Sequence, residues 1–335
     1  MRLLPRTLAA LALAASSMTA QPTKTLGSIE RLDAALDALV PPNARLEQLA
    51  DGFDWTEGPV WRKSGGYLLF SDIPKNTIYK WKDGEGLSVF LRPAGYAGPT
   101  PSGHELGSNA LTFDAQDRLV MADHGNRQVA RVNDSIFTKT TLADRYDGKR
   151  LNSPNDLVYR SDGTLFFTDP PYGMNGLNDS PVKELPHNGV YRLAPNGQLT
   201  LLTRELTFPN GIALSPDERT LYVAVSDPDH AVWMAYDLAA DGSISRGRVL
   251  FDATALAKAG KPGLPDGMKI DRRGNLFAGG PGGILVITPE GKLLGTIATG
   301  VPTANCAWGD DGSTLYITAN HQLLRIRLTT KGAGF

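Results

Sequence analysis

Apolar residues along this chain follow the two-residue alternation of β-strands, and the alternation recurs as a repeat. In each copy a cluster with Gly, Asn or Asp opens an apolar strand, a tight Asp/Gly turn follows, and a second apolar strand returns. The copies begin roughly 40 to 55 residues apart, the spacing of one four-stranded blade per repeat. The pattern predicts an all-β, six-bladed β-propeller with repeats that open at Glu57, Asn109, Asn155, Asn210, Asp266 and Asn305.

The segment before the first repeat has a helical pattern instead. Apolar side chains recur there at helical spacing, behind a cap at Ser28 and ahead of Pro41 and Pro42. We therefore expect one short N-terminal helix with an apolar face of Ile29, Leu32, Ala35, Leu36 and Leu39. From Ala44 the residues ARLEQLA read as a strand, which would close the ring by pairing beside QLLRIRL near the C-terminus.

The first twenty residues have the composition of a secretory signal. Arg2 and Arg6 precede an apolar run that is too short to span a bilayer and ends in small residues. We expect a signal peptide at 1–20, an extension with the short helix at 21–43, and a hydrolase domain at 44–335. Such a chain is exported, to the periplasm if the host is a bacterium, and holds no membrane segment after cleavage. A retained membrane anchor is the alternative.

Charge and motifs exclude several classes of function. There is no basic stripe and no RNA-binding aromatic motif, so we expect no nucleic-acid partner. The single cysteine, Cys306, forbids an internal disulfide and lies among apolar residues, which favours a buried packing role. The chain also lacks G-x-S-x-G, H-E-x-x-H and phosphate-loop signatures.

Propeller topology brings the repeat openings together. The innermost strands of all blades run in the same direction, so their first residues converge on one mouth of the central channel. The second strands return to the same face, where they end at Asp72, His124, Asp169, Tyr172, Asp227 and His321.

The converging openings suggest a metal site. Two carboxylates and four amides in one channel would repel and crowd each other unless a cation lay among them. Oxygen donors without thiolates favour Ca²⁺, with Mg²⁺, Mn²⁺ and Zn²⁺ as alternatives. Turn chemistry explains four of the six residues nearly as well, because Asn and Asp before Gly are common turn formers. From spacing alone, both interpretations stay open.

Four motifs carry a resemblance to a known family. TEGPVW at Thr56, NSPNDL at Asn152, FPNGIALSPD at Phe208 and LPDGMKID at Leu264 resemble the SMP-30/gluconolactonase/luciferin-regenerating family of six-bladed propellers. The resemblance runs from about Arg45 to the C-terminus, with the motifs in family order at blade spacing.

The resemblance implies one divalent cation, usually calcium, bound by Glu57, Asn210 and Asp266, with Asn155 on the metal or on its water. On the substrate side we expect Asn109, Asn155, His124 and Tyr172, the last in the DPPYG segment. Asn109 is carried over as a polar residue at the mouth.

The expected activity is hydrolysis of a sugar lactone such as glucono-1,5-lactone. The cation would accept the carbonyl oxygen, and a carboxylate would take the proton of the attacking water. Asp266 is the first candidate for that base, with His124 and Asp227 as alternatives, and Tyr172 is placed to stack on or hydrogen-bond a sugar ring. Two other functions fit the same pattern: an esterase acting on other lactones or phosphotriesters, and a propeller that binds ligands without catalysis.

Overall fold

The protein is an all-β, six-bladed propeller, as the repeat predicts. The computed structural model describes residues 24–99 and 103–335, so the expected signal segment at 1–20 lies outside the described residues. Each blade is an antiparallel sheet whose strands follow one another outward from the channel.

Blades 1 to 3 hold four strands each. Blade 1 contains Thr56–Arg62, Tyr67–Asp72, Thr77–Lys82 and Gly86–Leu91. Blade 2 contains Ser108–Phe113, Leu119–Asp123, Gln128–Asn133 and Thr138–Ala143, and a small ribbon of Arg145–Tyr146 and Lys149–Arg150 follows it. Blade 3 contains Leu157–Tyr159, Leu165–Asp169, Gly189–Leu193 and Leu199–Thr203, with a 3₁₀ turn at Leu177–Asp179.

Blades 5 and 6 recruit strands from the N-terminal segment, whereas blade 4 does not. Blade 4 contains Pro209–Leu214, Thr220–Asp227, His230–Asp237 and Arg248–Asp252. Blade 5 contains Met268–Ile270, Leu276–Gly280, Gly283–Ile287, Leu293–Ala298 and, outermost, Ser28–Arg31. Blade 6 contains Asn305–Gly309, Thr314–Ala319, Gln322–Arg327, Leu46–Asp51 and Thr25–Leu26.

The ring closes between the two ends of the chain, as predicted. Leu46–Asp51 pairs antiparallel with Gln322–Arg327, so that Ala50 lies opposite Leu323 and Glu47 opposite Arg325. The last blade therefore contains an N-terminal strand next to a C-terminal strand. This pairing closes the ring and satisfies the backbone groups along the edges where the two strands meet.

The predicted N-terminal helix is wrong. Ser28–Arg31 is a strand on the edge of blade 5, and only Ala34–Ala38 forms a short 3₁₀ helix, capped by Asp33 rather than Ser28. The free backbone groups of Leu293–Ala298 decide this, because pairing with this edge satisfies hydrogen bonds that a short isolated helix leaves open at its ends. Leu36 is fully buried, whereas Leu32 is 56% exposed. The α-helix of the described chain is Thr254–Lys258, in the insertion after blade 4.

Apolar side chains fill the spaces between neighbouring blades. Phe277 of blade 5 and Trp308 of blade 6 meet edge to face at 4.9 Å between ring centroids, and Cys306 is fully buried beside them. Cys306 therefore packs in the core, as expected. No helix within residues 24–99 and 103–335 is long and apolar enough to cross a membrane.

Candidate metal and substrate site

The innermost strands are irregular at the end that faces the channel mouth. The pairing register shifts between Glu57 and Val60 in blade 1, and between Pro209 and Ile212 in blade 4. Blade 2 shifts at the same level, between Ser108 and Leu111. Such bulges redirect side chains beside active sites. Here they occur at three of the positions that the sequence predicts to converge.

The glycine that follows each motif residue is required by the neighbouring blade. A Cβ atom on Gly58, where φ is +53°, would lie 2.2 Å from the carbonyl oxygen of Asn109 in blade 2. A Cβ on Gly211 would lie 2.3 Å from the carbonyl oxygen of Asp266. Because only glycine permits these approaches, the EGP and PNG motifs bring the oxygen-bearing side chains of adjacent blades close together.

These side chains surround a cavity of about 450 Å³ at the mouth. Six residues that the sequence singled out line it: Glu57, Asn109, Asn155, Tyr172, Asn210 and Asp266. The remaining wall is partly apolar and partly polar, and consists of Trp55, Ile73, His104, Glu105, Leu177, Ser226, Gly263, Leu264, Pro302 and Thr303. The volume suits a small organic ligand.

Three asparagines from consecutive blades form a hydrogen-bonded row, which we call the amide row. Asn109 Nδ2 donates to Asn155 Oδ1 at 2.7 Å, and Asn155 Nδ2 donates to Asn210 Oδ1 at 2.6 Å. Asn210 Nδ2 in turn donates to Ser226 Oγ at 2.9 Å. All three asparagines are buried, so the row is a fixed part of the cavity wall.

Two carboxylates complete the site, one on the buried Glu57 and one on the half-buried Asp266. Glu57 Oε2 accepts hydrogen bonds from Gly58 N at 2.6 Å and from Asn305 Nδ2 at 3.3 Å, and Asp266 Oδ1 accepts from Gly267 N at 3.0 Å. Burial, with Asp156 as a nearby like charge, raises the pKa of Glu57 to about 7. Burial and the proximity of Glu57 raise the pKa of Asp266 well above its ordinary value. Two acids in one desolvated site favour a cation between them.

A basic side chain lies next to this acidic group in the channel. Lys269 Nζ donates to Asn305 Oδ1 at 3.2 Å, and its charge partly opposes the rise in the pKa of Glu57. Burial also raises the pKa of Asp156, and the charge of Lys269 partly offsets that rise. Asn305, the sixth predicted opening residue, therefore links Lys269 to Glu57 by its amide.

The donor set fits a hard divalent cation. Glu57 and Asp266 supply carboxylate oxygens, and the carbonyl oxygens of Asn155 and Asn210 each accept one amide hydrogen, which leaves a second lone pair. Within residues 24–99 and 103–335 no three His, Cys, Asp or Glu side chains gather as a metal group. An ion here would therefore depend on amides as well as acids, as Ca²⁺ readily does.

Comparisons with known proteins support the family resemblance that the sequence motifs carry. Residues 55–321 match the model of the SMP-30/Gluconolactonase/LRE-like region. The chain belongs to this family. It is similar to a gluconolactonase of Zymomonas mobilis, with 43% identity over 313 residues that cover 92% of this chain and 88% of that protein.

Two further relatives indicate the range of this family and its fold. A solved gluconolactonase structure from Xanthomonas campestris aligns with a TM-score of 0.78 and 33% identity, covering 92% of this chain and 99% of that one. A diisopropyl-fluorophosphatase of Loligo vulgaris is 24% identical over 251 residues, which cover 70% of this chain and 75% of that protein.

The side chains at the ends of the second strands have several different environments. Tyr172 stacks on Phe208 with ring centroids 6.0 Å apart, and its buried hydroxyl makes no hydrogen bond within the described residues. Burial raises the pKa of this hydroxyl. His124 is buried behind Asn109 and does not line the cavity.

The other predicted strand-end residues support the backbone or lie away from the cavity. Asp72 accepts hydrogen bonds from Asp54 N and Trp55 N, and Asp169 accepts one from Asn152 N. Asp227 accepts a hydrogen bond from Thr207 Oγ1 at 2.8 Å, and the side chain of His321 is 40% exposed. None of these four lines the cavity. Their shared strand position indicated the face of the molecule but not the direction of each side chain.

Several lining residues were missed by sequence reasoning. Glu105 and His104 lie in the insertion between blades 1 and 2, and Thr303 in the loop before blade 6. Ser226 lies in the second strand of blade 4, and its contact with Asn210 could not be seen from its neighbours in the sequence. Insertions carry no periodic signal, so their charge and position in the rim were the only available clues.

Proposed function

We propose that this protein is a divalent-metal-dependent lactone hydrolase that acts on sugar lactones resembling glucono-1,5-lactone. One observation carries the proposal: Glu57, Asp266 and the amide row line one cavity of about 450 Å³ in a chain that is 43% identical to a gluconolactonase. The carboxylate and amide groups on one side of this cavity, together with its size, suit a single sugar ring.

The residues divide the chemistry between them. Glu57, Asn155, Asn210 and Asp266 would hold the cation, which supplies positive charge that polarises a carbonyl group and stabilises developing negative charge. The Asp266 carboxylate takes a proton from the attacking water and returns it to the ring oxygen that leaves. Asn109 and Tyr172, which both line the cavity, would orient the substrate, with the Tyr172 ring placed to pack against a sugar ring.

The apolar part of the wall favours a second candidate. Trp55, Ile73, Leu177, Leu264 and Pro302 present carbon surface to the same cavity, which suits an aliphatic or aromatic lactone or a phosphotriester. A fluorophosphatase among the relatives supports this alternative. A ligand-binding propeller without catalysis is the third possibility, and the same experiment separates all three.

The test is lactone hydrolysis by metal-stripped protein, with Ca²⁺, Mg²⁺, Mn²⁺ or Zn²⁺ added back across sugar lactones, aliphatic lactones and phosphotriesters. We expect cation-dependent turnover that is highest on sugar lactones. Asp266→Asn should lower kcat/KM by at least about a hundredfold, because it removes both a ligand and the base. Asp229→Asn, at a side chain that is 86% exposed, is the matched control and should leave kcat/KM unchanged.

The possible results have distinct meanings. Undiminished turnover in Asp266→Asn would reject its catalytic role, and a preference for phosphotriesters or aliphatic lactones would favour the second candidate. Binding of lactones without any turnover would favour the non-catalytic propeller.

A further inference from the structure

The amide row continues beyond the three asparagines at both ends. At one end, the Ser226 hydroxyl lies within hydrogen-bond distance of the carbonyl oxygen of Pro265, the residue before Asp266. At the other end, Asn109 Nδ2 lies 3.4 Å from His124 Nε2. His124 Nδ1 lies 2.7 Å from Glu105 Oε2. The chain of contacts therefore runs from Pro265 in the loop before blade 5 to Glu105 in the loop before blade 2.

The Pro265 end fixes the direction of every bond in this chain. A carbonyl oxygen only accepts, so the single hydrogen of Ser226 Oγ must point to Pro265. Ser226 Oγ can then only accept a hydrogen bond from Asn210. Asn210 must therefore direct Nδ2 towards Ser226 and Oδ1 towards Asn155. The same logic turns Asn155 Oδ1 towards Asn109, so Asn109 must donate through Nδ2.

The direction of the row decides the protonation of His124. Asn109 Nδ2 faces both Asn155 Oδ1 and His124 Nε2, so Nε2 must accept its second hydrogen. A neutral imidazole then carries its hydrogen on Nδ1, where it donates to the Glu105 carboxylate. The side chain of His124 is 0% exposed, and that of Glu105 is 18% exposed at the cavity wall.

We propose that Glu105 and His124 are positioning residues: they hold the imidazole as the Nδ1–H tautomer, whose Nε2 accepts from Asn109 and so secures, at the far end of the row, the orientation that Pro265 imposes at the other. The inference deepens the proposed function, and its importance for catalysis rests on that function. Both hydrogens of Asn109 Nδ2 are committed, so Oδ1 is the atom of this side chain that remains for a ligand. His124 acts through Asn109 rather than by contact with substrate.

Reversal at one point would have to propagate through the whole row. If His124 carried its hydrogen on Nε2, Asn109 would have to flip, and its oxygen would then meet Asn155 Oδ1 at the 2.7 Å contact. Asn155 and Asn210 would flip in turn, and Ser226 would have to donate to Asn210 and abandon Pro265. A buried acceptor without a donor is destabilising, so the row has one preferred direction.

The tautomer is measured directly on the wild-type protein by long-range ¹H–¹⁵N correlation of the histidine side chains, with His124 assigned by its absence in His124→Gln. We expect a neutral ring with hydrogen on Nδ1 near neutral pH. A ring protonated on Nε2 alone, or on both nitrogens, would overturn the proposal. This measurement needs no turnover and no metal, so it stays decisive if the proposed activity is absent.

The functional consequence is tested with three variants and the metal-stripped protein. His124→Ala removes the acceptor for Asn109, and His124→Gln supplies a replacement oxygen. His321→Ala is the matched control, because His321 lies just beyond the second strand of blade 6 on the same face, with its side chain 40% exposed. Calcium affinity by titration calorimetry, kcat and KM are compared, with thermal unfolding as the check that each variant is folded.

We expect His124→Ala to weaken calcium binding by about tenfold, the lower end of the effect of losing a direct partner of a metal ligand, because His124 acts on Asn155 only through Asn109. His124→Gln should recover most of this affinity and of kcat with an unchanged pH profile, and His321→Ala should match the wild type. Two outcomes reject the positioning role. One is wild-type calcium affinity in His124→Ala. The other is a Gln variant that binds calcium normally but is as inactive as Ala, which would identify His124 as a base.

Discussion

Asp169 is expected to make the protein less stable as the pH rises towards neutrality. Its side chain is fully buried at the end of the second strand of blade 3, where Oδ2 accepts a hydrogen bond from Asn152 N at 2.8 Å. Oδ1 is buried without a hydrogen-bond partner in the described part of the chain. Burial is the main reason that the pKa of Asp169 rises from 3.8 to about 7.

The sign and size of the effect follow from proton linkage. Between pH 3.8 and about 7 the folded protein holds a proton on Asp169 that the unfolded chain has released. The free energy of unfolding therefore falls through this window and stays reduced above it. About three pKa units at 1.36 kcal/mol each give an upper bound of about 4 kcal/mol.

The assay is urea unfolding of the wild type and Asp169→Asn between about pH 5 and pH 8. The asparagine keeps an oxygen for Asn152 N but has no charge to bury, so the variant should gain stability relative to the wild type as the pH rises. Asp123→Asn is the matched control: Asp123 ends the equivalent strand of blade 2 but is paired with Lys139 at 2.9 Å. That variant should lose stability instead. Parallel pH profiles for the wild type and Asp169→Asn would refute the reasoning.

Two further predictions concern the backbone and the core. Gly58→Ala should cost at least about 2 kcal/mol of stability, because the new Cβ would lie 2.2 Å from Asn109 O. Gly66→Ala is the control and should cost about 1 kcal/mol, because φ is similarly positive there but no atom lies within 4 Å of the new Cβ. Equal losses of thermal stability in the two variants would contradict the clash. Cys306 is fully buried, its Sγ contacts Phe277 O at 3.2 Å, and burial raises the pKa of its thiol to about 12, so thiol reagents should label it only after unfolding. Labelling of the folded protein at the rate of a free thiol would be inconsistent with this burial.

Much of the site could be predicted because the fold repeats. Glu57, Asn109, Asn155, Asn210 and Asp266 open equivalent strands, so strand direction alone places them at one mouth, and all five line the cavity. Their roles as ligands, base and substrate contacts remain predictions. The N-terminal helix failed for a non-local reason: the segment's apolar spacing allows a helix, but the edge of blade 5 supplies backbone partners that the sequence does not reveal.

The sequence by itself determined the number of blades, the closure of the ring and the polar residues that meet at its mouth, because alternation and turn chemistry are local properties that repeat. Only the tertiary structure decided how those residues are oriented. The direction of the amide row depends on Pro265, Ser226, His124 and Glu105, which come from different blades and rim loops. A hydrogen bond is directional and short-ranged, so its donor and acceptor are settled only when distant segments have packed together.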